Sequence, residues 1–170
     1  NKGLQNINVL TGLTNLRELG LSGIKLSDVS ALRNLQKLIK LDASKNQLTD
    51  VRVLSGLTAL EELGLAENNV SELGFLSGLP GLRILDLSKN QFTDTQLVHL
   101  ANSSKLKILK LNGNRISSLS ALASLNKLEY LHLSNNNLAD LSPLYNLENI
   151  RTVYLANNPG ISQSSLRALQ

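Results

Sequence analysis

The sequence contains no cysteine, no methionine and no tryptophan. Without thiols it has no disulfide framework, and zinc or iron–sulfur centres built on thiolate are excluded as well. Aromatic residues are only 3% of the 170 positions, so the core must be built from Leu, with Ala, Val and Ile. No apolar run approaches the roughly 20 residues that a membrane-spanning helix needs, and no membrane insertion is expected. What is present is an ordinary mixture, 42% apolar and 18% charged. That balance argues against wholesale disorder, and the length is one domain's worth of chain.

The net charge is +4, but it is unevenly spread. Residues 50–94 carry seven acids and three bases, whereas residues 95–127 carry five bases (Lys105, Lys107, Lys110, Arg115, Lys127) and no acid. Such a gradient can tune association with a partner. It falls short of the dense basic stripe of a nucleic-acid binder, so nucleic acid is not an expected partner.

The dominant feature is an internal repeat. The pattern L-x-x-L-x-L-x-x-N-x-L appears as Leu38-Leu41-Ala43-Asn46-Leu48 and Leu60-Leu63-Leu65-Asn68-Val70. It continues as Leu82-Leu85-Leu87-Asn90-Phe92, Leu106-Leu109-Leu111-Asn114-Ile116 and Leu128-Leu131-Leu133-Asn136-Leu138. A shorter copy, Leu16-Leu19-Leu21, precedes these, and Ile150-Val153-Leu155-Asn158 follows. The first apolar positions are spaced 22, 22, 22, 24, 22 and 22 residues apart.

Within each copy the apolar residues alternate, which is the period of a strand. Short strands are predicted near 18–22, 40–44, 62–66, 84–88, 108–112, 130–134 and 152–156. Equal repeats return the chain to the same edge, so the strands stack in parallel about 4.8 Å apart. The Asn after each strand suits a ladder that satisfies turn backbone groups, a structural role. Ile24 takes that position in the first full repeat. The return segments step by three, as in Leu26, Val29, Leu32 and Leu35, which fits 3₁₀ or extended turns better than an α-helix. The 24-residue repeat has room for a helical turn after Thr93, with Gln96 completing a capping box. A short helix is also expected in the tail after Ile161. Phe92 should be core, Phe75 a turn-side filler, and Tyr145 and His99 surface residues.

These motifs resemble the leucine-rich-repeat superfamily, in its 22-residue class, from Leu4 to Leu169. The returns Leu26-Ser27-Asp28-Val29, Leu48-Thr49-Asp50-Val51 and Leu138-Ala139-Asp140-Leu141 look like those of internalin-like surface proteins of Gram-positive bacteria, as does the stretch Leu10–Leu16. Eukaryotic phosphatase-regulating repeat proteins share the repeat length. The resemblance implies an α/β solenoid, a horseshoe arc with a parallel sheet on its concave face and short 3₁₀, extended or helical returns on its convex face. One domain, 1–170, is expected: a partial repeat at 1–15, six repeats over 16–149, and a truncated seventh at 150–170. Leu4, Ile7, Leu10 and Leu13 match the return of a repeat whose strand is missing. Neither end carries the polar cap that solenoids generally require, so the chain is expected to be part of a longer protein.

The resemblance also implies recognition of a protein on the concave face, with no enzymatic activity and no cofactor. Side chains flanking the buried Leu residues should line that face. The central row reads Gly20, Asp42, Gly64, Asp86, Lys110, His132, Tyr154, and the row before it Glu18, Lys40, Glu62, Ile84, Ile108, Tyr130, Thr152. Ile84, Asp86, Ile108, Lys110, Tyr130, His132 and Tyr154 are the candidate partner-binding residues, because interface hot spots favour aromatics among adaptable polar groups. Two other readings stand beside this one: Tyr130 and Tyr154 stacking only to stabilise the sheet, and Asp86 with Lys110 forming a weak cross-strand pair. Catalysis finds no foothold. His99 and His132 sit on different layers, Ser134 is ~7 Å along the strand from His132, and Asp86 is ~10 Å away across two strands. The expected setting is a monomer at the surface of a Gram-positive bacterium or outside the cell, engaging a host or extracellular ligand. An intracellular scaffold, a phosphatase-regulatory subunit or a structural spacer are the alternatives.

Overall fold

The structure is a computed structural model that describes residues 6–169. Seven parallel strands pair in chain order into one sheet. They are β1 Glu18–Gly20, β2 Lys40–Asp42, β3 Glu62–Gly64, β4 Ile84–Asp86, β5 Ile108–Lys110, β6 Tyr130–His132 and β7 Thr152–Tyr154. The register is that of the repeat: Leu19, Leu41, Leu63, Leu85, Leu109, Leu131 and Val153 form one row. Alternation turns this row into the core. Its five inner Leu residues are buried, while Leu19 and Val153, on the two edge strands, are only partly covered.

The strands are shorter than the five residues expected at 18–22 and its equivalents. Pairing does continue past them, since the Leu21 N–H donates to the Asp42 carbonyl at 2.7 Å and the Gly23 N–H to the Ser44 carbonyl at 3.0 Å. The extended geometry ends because the chain must turn toward the convex side. The residue before each ladder Asn has positive φ: Lys45 (57°), Glu67 (56°), Lys89 (52°), Gly113 (71°), Asn135 (59°) and Asn157 (57°). That conformation costs a residue with a Cβ about 1–2 kcal/mol, a cost that Gly113 avoids.

Each buried Asn then ties two repeats together, as the spacing predicted. The Asn136 amide donates to the carbonyls of Leu111 and Leu133, both at 3.0 Å, and its oxygen accepts the Ile116 N–H at 3.0 Å. Asn68 repeats the scheme with Ala43, Leu65 and Leu48, and Asn114 with Leu87, Leu111 and Phe92. Among the described residues no buried side-chain polar atom lacks a partner. Where Ile24 replaces Asn, its side chain packs against the core instead, and its N–H is taken by Asn46.

The returns are 3₁₀ turns at Ser30–Leu32, Arg52–Gly56, Gly74–Gly78, Ser120–Leu122 and Ser142–Leu144, as the step of three implied. Asp28, Asp50 and Asp140 start three of them by accepting the N–H two residues on, at 2.8, 3.0 and 2.8 Å. These bonds hold the Asp28 and Asp140 carboxyls below the usual carboxylate range, and at Asp50 the Arg52 side chain does so first, with the N–H adding to it.

The 24-residue repeat forms α1, Asp94–Leu97, followed by a 3₁₀ turn at Val98–Leu100. Gln96 reaches back to accept the Thr93 N–H at 2.9 Å, the predicted capping contact. In the tail, α2 spans Gln163–Arg167, and Ser162 caps it by accepting the Ser165 N–H at 3.1 Å. Phe92 and Phe75 are buried, and Tyr145 and His99 are exposed. In the first return segment, Leu4 lies outside the described residues, Ile7 is buried, Leu10 is partly covered and Leu13 is exposed. Leu layers thus fill the interior, with the sheet on the concave side and the returns on the convex side.

Candidate functional site on the concave face

Strand registration places the candidate residues in two adjoining rows. Ile84, Ile108 and Tyr130 are neighbours in one, and Asp86, Lys110, His132 and Tyr154 in the other. All seven share the C-terminal half of the sheet. Their exposure differs: Tyr154 keeps 48% of its surface, whereas Ile84, Ile108, Tyr130 and His132 are half-buried. The two isoleucines are partly covered because in-register neighbours on β4, β5 and β6 lie side by side.

The aromatic rings form a continuous patch. Tyr154 lies 5.6 Å from Tyr130 and 5.0 Å from His132 between ring centroids, each pair tilted by 50°. These distances suit favourable aromatic contact, so sheet packing is present alongside an exposed aromatic surface. Asp86 and Lys110 do form a cross-strand pair, at 3.5 Å. Partial burial lowers the His132 pKa; Lys110 lowers it further, and Asp86 opposes both. Burial and Lys110 thus favour the neutral imidazole.

Sequence reasoning passed over the polar floor beside this patch. A shallow groove runs from Ser22 and Asp42 across Ala66, Ser88 and Asn112 to Tyr130 and His132. The Ser88 hydroxyl lies 2.6 Å from both Asp86 and Asn112, and Ser88 and Ser134 are nearly closed off from solvent. Asp42 accepts the Ser44 N–H at 3.0 Å and joins no ion pair among the described residues. The signal was present in the sequence, because the central row reads Gly20-Asp42-Gly64.

On the convex side a second depression is lined by Asp50, Val51, Arg52, Glu72 and Phe75, among others. The Arg52 guanidinium is bound to Asp50 at 2.7–3.1 Å and holds that carboxyl down to about 2. The two charges satisfy each other. No hydrogen bond joins His132 to Ser134 or Asp86 among the described residues. Among those residues, too, no group of three His, Cys, Asp or Glu is placed to hold a metal ion. No helix there is long and apolar enough to cross a membrane.

A curved parallel sheet, an Asn ladder and short returns in a 22-residue period define a repeat solenoid whose open face is a sheet. Family models described as leucine-rich repeat match residues 80–138, 36–78 and 126–168, and the chain belongs to the leucine-rich-repeat family. Its fold is that of a protein-interaction module.

Among solved structures, the internalin InlF of Listeria monocytogenes superposes with a TM-score of 0.93 at 30% identity, over 99% of this chain and 49% of that one. Internalin C2 of the same species gives 0.86 at 42% identity, over 90% of this chain and 67% of that one. The ectodomain of an Arabidopsis thaliana membrane receptor kinase, GASSHO1/SCHENGEN3, gives 0.74 at 27% identity over 87% of this chain and 19% of that one; it was solved in complex with CASPARIAN STRIP INTEGRITY FACTOR 2. The chain thus resembles the internalins, and spans about half the length of the InlF structure. No match was found among curated proteins.

Proposed function

We propose that this domain binds a protein partner on the C-terminal half of its concave face, through Ile84, Asp86, Ile108, Lys110, Tyr130, His132 and Tyr154. The observation that carries the proposal is the aromatic patch. Tyr154 stands nearly half exposed against Tyr130 and His132, in a chain with only three Tyr and no Trp. Clustered aromatics bordered by a Lys–Asp pair and small polar side chains match the composition of interface hot spots. The internalin likeness supports a setting at the bacterial surface or outside the cell, with a host or extracellular protein as ligand. The receptor ectodomain, solved in complex with a bound factor, supports a ligand-binding role for this fold. The domain acts as a monomer and needs no cofactor.

The test is capture from host extracellular material and, in parallel, from cytosolic lysate. Wild type is compared with the Tyr130→Ala/His132→Ala/Tyr154→Ala variant. An extracellular protein retained by wild type and lost by the variant is the expected result. Retention by both would move the site off this patch. A phosphatase retained from the lysate would replace the surface setting with an intracellular one.

A further inference from the structure

The concave face has a long axis and a short one. Each strand contributes only three residues, about 10 Å, whereas seven strands in register span roughly 29 Å. Strands β2 to β6 are paired on both sides, so no edge in the middle of the face is open for an added strand. A polypeptide that engages this face over any length must cross the strands, with contacts from its side chains.

Two places along that axis differ from the rest. At the β6–β7 end is the aromatic patch. At the other end, Asp42 stands between two glycines in its own row, Gly20 and Gly64. A Cβ on Gly20 would meet nothing within 4 Å, and one on Gly64 would press on the Asp42 carboxylate at 2.9 Å. The carboxylate is thus open along the row on the β1 side, and it stays clear on the β3 side only because Gly64 has no side chain. Its neighbours Lys40 and Glu62 are engaged with each other at 3.0 Å, and Asp42 forms no close ion pair of its own among the described residues.

Resting on the concave-face reading above, we infer that the partner presents an extended segment laid across the strands, with a basic side chain on Asp42 in the gap left by Gly20 and Gly64, and an apolar or aromatic side chain on the Tyr130–His132–Tyr154 patch. The spacing follows from geometry. Four strand intervals separate β2 from β6, about 19 Å. An extended chain advances about 3.3 Å per residue, so five residues lie between the basic and the apolar anchor.

Three fluorescein-labelled peptides test this by fluorescence polarisation. The first has the core Arg-Ser-Thr-Ser-Thr-Ser-Trp, the second carries Glu in place of Arg, and the third shortens the spacer to one residue. On wild type the first binds about fivefold more tightly than either control, the scale of an exposed ion pair. Asp42→Asn abolishes the preference for Arg over Glu. Gly64→Val does the same by filling the gap, with circular dichroism confirming that the fold is kept. Tyr154→Ala weakens all three peptides together.

If Tyr154→Ala weakens binding but Asp42→Asn leaves the Arg preference intact, the basic anchor is wrong and the concave-face reading stands. If neither variant changes binding, or no peptide binds wild type, the inference is overturned, and unchanged binding in Tyr154→Ala counts against the face as well.

Discussion

The imidazole of His132 lies 5.0 Å from the ring of Tyr154 across the β6–β7 pair, on the side of β6 away from Lys110. Partial burial and Lys110 lower its pKa, against the pull of Asp86. The folded state therefore releases the proton more readily than the unfolded chain. The contribution to stability is whole above the unfolded value, near 6.5, and is lost as pH falls from there through the folded pKa. An NMR titration should place the His132 midpoint below 6.5. Lys110→Gln should move it up and Asp86→Asn should move it down. A midpoint at or above 6.5 would contradict this arrangement of charges.

Removing one rung of the Asn ladder exposes its cost directly. Asn136→Ala leaves the carbonyls of Leu111 and Leu133 and the Ile116 N–H without their partner. Unpaired buried groups of this kind cost about 1–3 kcal/mol each, partly relieved by relaxation. A loss of about 2–4 kcal/mol is expected in urea unfolding. A loss under about 1 kcal/mol would mean that the ladder is ornamental.

Glycines at the same place in successive repeats should behave differently. Gly56 and Gly78 each end a five-residue 3₁₀ turn. A Cβ on Gly78 would overlap the Ser55 carbonyl, whereas one on Gly56 meets nothing within 4 Å. Gly78→Ala should destabilise by about 1–3 kcal/mol, the range for overpacking against atoms that cannot withdraw. Gly56→Ala should stay within about 0.5 kcal/mol of wild type. Equal midpoints in a denaturant series would show that the two turns are not packed as described.

The left-handed residue before each Asn offers a stabilising change. Lys45 sits at φ 57° and joins no ion pair among the described residues, while Asn135 and Asn157 fill the equivalent place in later repeats. Asn tolerates this conformation better than Lys. Lys45→Asn should raise stability by roughly 0.5–1 kcal/mol, read as an upward shift of the thermal midpoint. A fall would mean that the Lys45 side chain does something the turn geometry does not reveal.

Much of this was legible in the repeat itself. A 22-residue period with alternating Leu sets the register, so the rows holding Ile84–Ile108–Tyr130 and Asp86–Lys110–His132–Tyr154 follow from spacing alone. The step of three in the returns and the Thr93–Gln96 pair were equally readable, because each reflects local backbone geometry. The strand ends were not, since the left-handed turn falls on Lys45, Glu67 and Lys89, residues with no turn preference to announce it. Nor was the contrast between Gly56 and Gly78, which depends on how closely two returns approach. Tyr154 standing more open than Tyr130 also lay beyond the pattern, because it depends on β7 being the edge strand of the described sheet.

The central claim is that the partner sits on the concave patch around Tyr154. Photo-crosslinking tests it most directly. A photoreactive phenylalanine replaces Tyr154 in one preparation and, in a second, Val98, which is 58% exposed on the convex side. Each is irradiated with the captured partner. The account predicts a crosslinked complex from position 154 and none from position 98. Crosslinking from position 98 with none from position 154 would place the partner on the convex face and contradict it.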